Sequence, residues 1–198
     1  MPVFLKERIT TLKKNLKIFT IFAVVFAAGM ILGIIFNLKS GDKNPTTKSV
    51  TTFYQRICNP EINAFSIEIK FFFNCALMLC IFFTLSFSVY LLPVSFAIIF
   101  VRGIICGGAI VAYIVTYKLS GAMVFLLINL VQTVVSYAVF CALVCINGDF
   151  FTQGKCRVKR NLKYKLLTAL ICLIVCFAVT VYGFFAISLI LRPLYLIF

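Results

Sequence analysis

Long apolar runs alternate with short polar segments along this chain. Five runs stand out, at 18–36, 71–92, 94–117, 121–146 and 166–191. Each matches the roughly 20 apolar residues a helix needs to cross a bilayer. The pattern predicts an all-α, polytopic membrane helix bundle with about five transmembrane helices, organised as a single membrane domain over 1–198. The first run resembles a secretory h-region, but it is too long, and Gly29-Met30-Ile31-Leu32-Gly33 leads into more apolar residues rather than a cleavage site. It is read as an uncleaved first span.

The polar segments set the connections. Residues 1–17 carry Lys6, Arg8, Lys13, Lys14 and Lys17 against Glu7 alone. Segment 37–69 is the longest polar stretch, turn-rich from Asn37 to Pro45. Around 61–70, Ile62, Phe65 and Ile69 recur at helical spacing among Glu61, Glu68 and Lys70, which predicts a short interfacial helix. Pro93 breaks the second run from the third, so these two spans should form an antiparallel hairpin. Lys118 to Ser120 is another short link. Loop 147–165 is basic, with Lys155, Arg157, Lys159, Arg160, Lys163 and Lys165.

Positive charge orients the spans. With the N-terminus cytoplasmic, 11 basic residues of segments 1–17 and 147–165 lie inside, against seven outside (Lys39, Lys43, Lys48, Arg56, Lys70, Lys118 and Arg192). The positive-inside rule therefore predicts a cytoplasmic N-terminus, an extracytoplasmic segment 37–69 and an extracytoplasmic C-terminus.

Composition sharpens the class. The chain is 63% hydrophobic, with a mean hydropathy of +1.13, far above a soluble domain. The net charge of +14 would suggest nucleic acid in a soluble protein. Here the positives flank the spans, so anionic lipid at the basic loops is the expected partner and nucleic acid is not. Seven of the nine cysteines lie within apolar runs. Cys141/Cys145 and Cys172/Cys176 share helix faces, and small, soft packing residues are the plain reading. No histidine is present, so metal binding is not expected.

Arg102 is the one charge inside an apolar run. Nine residues past Pro93, it sits about 13 Å along the third span. It either snorkels to the interface or meets a polar partner at depth. Asn129 and Gln132, three apart on the fourth span, and Asn74 on the second are the candidate partners; they serve equally as interhelical glue. Gly29-xxx-Gly33 and Gly103-xxx-Gly107, with Gly108 beside the latter, form small-residue grooves that admit a neighbouring backbone. Packing inside the bundle is the favoured use, and a homo-oligomer contact the alternative.

Catalysis is poorly supplied. Glu7, Asp42, Glu61, Glu68 and Asp149 all fall outside the span centres as drawn, and no serine has a visible base. Intramembrane hydrolysis needs a base or metal ligands at depth. A non-enzyme without cofactor is expected, and a proton-coupled carrier is disfavoured.

The order of these features resembles the stage II sporulation protein M family of endospore-forming Firmicutes. The likeness rests on the basic N-terminus before Gly29-xxx-Gly33 and on Phe71-Phe72-Phe73-Asn74. It continues through the Pro93 turn, Arg102-Gly103 with Gly107 and Gly108, Lys118-Leu119-Ser120-Gly121, and Asn129-Leu130. Residues 93–130 carry it most specifically. The chain lacks the His-Gly…Glu motif that many members of the wider family bear in the fourth span. The resemblance implies a non-enzymatic membrane scaffold. It would anchor and localise peptidoglycan-remodelling partners, the stage II sporulation proteins D and P, at the septum of the bacterial inner membrane during engulfment. The alternative expectation is a permease subunit working with a separate ATPase.

Overall fold

A computed structural model describes residues 3–40, 45–59, 61–87, 89–147 and 158–193. It is an all-helical membrane bundle. Helix α1 spans Val3–Ser40, α2 Pro45–Cys58, α3 Ala64–Leu85, α4 Leu92–Val124, α5 Val131–Asn147 and α6 Val158–Phe185. Two π-helical turns, Phe125–Leu130 and Ala186–Leu191, join α4 to α5 and extend α6.

Four segments are long and apolar enough to cross a membrane: Leu16–Lys39, Ala64–Leu85, Leu92–Cys145 and Lys165–Leu191. The third is 54 residues long. As one straight helix it would run about 80 Å, well over twice the hydrocarbon thickness. It folds back instead at Lys118, whose backbone is non-helical (φ 50°, ψ −124°). A positive φ on a non-glycine residue is costly and persists only where the surroundings impose it. Gly121 supplies part of that imposition, because a Cβ there would lie 2.2 Å from the Tyr113 carbonyl oxygen. The two arms are thus pressed together immediately past the turn, and the Tyr113 and Phe125 rings meet across them. The result is five membrane passes, with the fold-back at the Lys118–Ser120 link.

The outward faces are apolar. Val24, Ile31, Phe73, Leu77, Ile174 and Phe177 are all exposed. In water such a surface would drive aggregation; against lipid tails it is matched to its solvent. Hydrophobicity therefore does not sort these side chains into inside and outside, and close packing must do so.

Of the turn-rich stretch expected from Asn37 to Pro45, Asn37–Ser40 continue α1 and 41–44 lie outside the described residues; the rest of segment 37–69 carries helical structure. Helix α2 occupies its centre and lies on α4, burying Val50, Tyr54 and Ile57. The expected interfacial helix at 61–70 is instead the first part of α3, which starts at Ala64 rather than at Phe71. Asn63 caps it, its Oδ1 accepting from the Phe65 amide at 3.0 Å. The break at Pro93 stands as expected, since Ser86 caps α3 and Pro93 lies in the first turn of α4; the two helices do not pair as a close hairpin, because α4 packs chiefly on α1 and α3 on α6 and α5. Residues 148–157 of the basic loop lie outside the described residues, and α6 begins at Val158.

Candidate functional site

The closest contact in the bundle is between α1 and α4. Gly29 and Gly33 face Gly103 and Gly107 in parallel register. A Cβ on Gly29 would stand 2.4 Å from the Phe100 oxygen, and one on Gly33 2.0 Å from that of Ile104. Reciprocally, Gly103 would meet the Phe26 oxygen at 2.4 Å and Gly107 the Met30 oxygen at 2.0 Å. Every obstruction is backbone, so no rotamer change relieves it. The two Gly-xxx-Gly motifs are therefore each other's partners within one chain. Asn37, one further turn along α1, donates its amide to the Gly108 carbonyl. Gly108 itself points away from the seam, with Asn37 Nδ2 and the Thr46 side chain at an unstrained 3.5 Å.

The interior divides into two apolar clusters. One gathers Ile57, Ile67, Tyr113, Ile128 and Ile187 towards the α2 end. The other gathers Phe22, Leu79, Ile99, Leu143 and Cys176 towards the opposite end. Between them, α3 to α6 carry polar side chains: Glu68 on α3, Arg102 on α4, Asn129 on the π turn, Gln132, Thr133 and Ser136 on α5, and Thr180 on α6. A polar layer thus crosses the bundle between two greasy halves.

Side-chain hydrogen bonds knit this layer. Gln132 donates from Nε2 to Glu68 Oε2 at 2.7 Å. Both residues are buried, Glu68 at 1% exposure. Gly183 of α6 makes room for them, since a Cβ there would lie 2.1 Å from Gln132 Nε2 and 2.5 Å from Glu68 Oε2. Asn129 donates from Nδ2 to the Tyr113 hydroxyl at 2.8 Å. The Tyr182 hydroxyl donates to the Leu127 carbonyl at 2.9 Å, satisfying one of the backbone acceptors in the π turn. Cys75, of the cluster away from α2, and Ser136 touch at 3.6 Å.

Glu68 corrects the reading of the acids. It does not lie in an extracytoplasmic loop clear of the spans; it is a buried carboxyl within a span helix. Its signal was present in the sequence, because Ile67, Glu68, Phe71 and Cys75 fall on one helical face once α3 is extended back to Ala64. With the second apolar run starting at Phe71, Glu68 falls in the short interfacial helix expected at 61–70 rather than in a span.

Arg102 is half-buried and lines a small cavity of about 120 Å³ with Cys106, Asn129, Thr133 and Tyr137. Among the described residues its guanidinium makes no hydrogen bond or ion pair. Asn129 shares the cavity but gives its amide to Tyr113. Gln132 gives its own to Glu68, and Asn74 is exposed on another face. None of the three expected partners binds Arg102.

A second arginine is held by backbone carbonyls. Arg192, at the end of α6, donates from Nε to the Ile57 carbonyl and from Nη2 to the Asn59 carbonyl, both at 3.2 Å, and also to the Ile62 carbonyl. It ties α6 to the α2–α3 connection, with Tyr54 stacked on Tyr117 at 3.7 Å between ring centroids. Burial pushes the neighbouring Cys58 thiol above its ordinary value, with the Tyr54 hydrogen bond and the Arg192 charge pulling the other way. No sequence pattern marks a residue whose partners are three carbonyls far away along the chain.

Among the described residues, no group of three or more His, Cys, Asp or Glu side chains gathers to hold a metal ion. Cys141, Cys145, Cys172 and Cys176 are buried packing residues of the cluster away from α2. Compared with family models, curated proteins and solved structures, the chain matches none.

Proposed function

We propose that this multi-pass membrane protein is a non-enzymatic scaffold that presents α2 as a fixed platform for a partner. Following the resemblance to the stage II sporulation protein M family, the partner is peptidoglycan-remodelling machinery at the sporulation septum, and the α2 end is extracytoplasmic. The observation that carries this reading is the immobilisation of α2. Three arginine–carbonyl bonds, a tyrosine stack and buried Val50, Tyr54 and Ile57 hold a 14-residue helix against the bundle. A segment so restrained presents its outer face with little ordering cost on binding.

The polar layer supports the same reading over a permease. Gln132, Glu68, Asn129 and Tyr113 satisfy one another, so they behave as interhelical glue rather than as the lining of a hydrated path. The deciding experiment is capture from sporulating cells. The intact protein should co-purify a wall hydrolase, and replacing the exposed face of α2 should abolish both capture and septal localisation of that hydrolase. Substrate-stimulated ATP turnover with a co-expressed ATPase, or aqueous labelling of a cysteine placed at Gln132, would favour the permease instead.

A further inference from the structure

A cleft of about 540 Å³ opens between α2 and the first turns of α3. Its lining is of two kinds. Arg56 from α2 and Lys70 from α3 bring two exposed cations to it, with Ser66 and Asn74 as neutral polar groups; Phe53 and Phe71 form part of its apolar wall. Ser66, Lys70 and Asn74 are spaced by four residues and so share one face of α3. Arg56 lies one turn beyond Phe53 on α2, which turns both towards the same opening. Among the described residues, neither Arg56 nor Lys70 forms an ion pair. Like charges facing one cleft without a carboxylate to neutralise them repel each other, and an anion between them relieves that repulsion.

The position of the cleft selects the kind of anion. Lys70 is the last charge before the apolar remainder of α3, Phe71 to Leu85, which only Asn74 and Thr84 interrupt. A lysine at the end of such a run holds its ammonium at headgroup level. Asn74, one turn deeper, and the ring of Phe71 carry the cleft down into the zone of glycerol and upper acyl chain. A soluble phosphate has no use for that apolar wall, whereas a phospholipid fills both halves.

We infer that the α2–α3 cleft is a binding site for an anionic phospholipid of the adjoining leaflet, its phosphate between Arg56 and Lys70 and its glycerol and upper chains against Phe53 and Phe71. This site is distinct from the non-specific attraction of the basic loops, and it is independent of the scaffold reading.

The test uses the full chain in detergent, titrated with fluorescent short-chain phosphatidylglycerol. At about 1 kcal/mol per basic residue near the headgroups, removing both cations in Arg56→Gln/Lys70→Gln should weaken binding roughly 25-fold. Lys39→Gln/Lys48→Gln removes equal charge at the same end, from exposed positions outside the cleft, and should change it less than about two-fold. Should the first double variant fail to fold, Lys70→Gln alone is read, with a roughly five-fold loss expected. Equal losses in the two double variants would reduce the effect to bulk electrostatics and overturn the site. So would equal affinity for phosphatidylcholine. Displacement of the lipid by millimolar inorganic phosphate would show a free-phosphate site and overturn the lipid assignment.

Discussion

Gly107 and Gly108 are neighbours in sequence, both buried, yet they should respond to alanine in opposite ways. A Cβ on Gly107 would stand 2.0 Å from the Met30 oxygen, 2.8 Å from its carbonyl carbon and 2.9 Å from its Cα. An ordinary contact needs over 1 Å more than the first of these. The obstruction is the α1 backbone, so the helices must separate along the whole seam, prising apart Gly29, Gly33 and Gly103 as well. Overpacking of this kind costs about 1–3 kcal/mol, and the absence of any movable side chain places Gly107→Ala at the upper end, about 2–3 kcal/mol. For a chain of this size that is a fall in melting midpoint of roughly 4–12 °C. Gly108→Ala adds its methyl 3.5 Å from Asn37 Nδ2 and Thr46 Cγ2, an ordinary distance. Its carbonyl still accepts from Asn37, and alanine is the better helix residue, so its midpoint should be unchanged or slightly higher. The measurement is thermal unfolding of both variants in the same detergent, followed by loss of the monodisperse peak on size exclusion. Equal midpoints for the two would refute the seam as the source of tight packing. A Gly107→Ala loss that appeared only at high protein concentration would instead place the glycines at a contact between copies.

Three further outcomes follow from the polar layer and the α2 anchor. Glu68→Ala leaves buried Gln132 without its acceptor and should cost about 1–3 kcal/mol; Gly183→Ala strikes the same pair, so the double variant should be less destabilised than the sum of the singles, and additivity within 0.3 kcal/mol or so would disprove the coupling. Arg192→Leu should speed deuterium uptake or proteolysis across 45–62 without unfolding the spans, and Arg192→Lys should not rescue it because an ammonium lacks the fork that reaches three carbonyls; unchanged protection would exclude the anchor. Arg102→Leu removes a charge that has no hydrogen bond among the described residues and that costs about 2.5–3.5 kcal/mol on insertion scales, so the variant should insert and melt at or above the parent's midpoint. A clear loss of stability would mean that the guanidinium is paired after all.

The apolar runs alone determined the class of this protein. Their lengths and separations, with the Pro93 and Lys118–Ser120 breaks, define a five-pass helical bundle, because span length follows directly from bilayer thickness. The glycine spacing was equally legible, since four-residue steps define a helix face whatever lies opposite. Which face it meets was not: Gly29 and Gly33 find Gly103 and Gly107 only after α3 has carried the chain back, a separation of 74 residues. Glu68 falls outside the apolar run that begins at Phe71, whereas the helix starts at the Asn63 cap and buries the carboxyl against Gln132 and Gly183. Arg102, the conspicuous charge, makes no bond among the described residues, while the inconspicuous Arg192 holds three carbonyls. A hydropathy pattern registers the cost of placing a group in lipid, and that cost is local. The groups that repay it lie on other helices, and only the packed bundle brings them within reach.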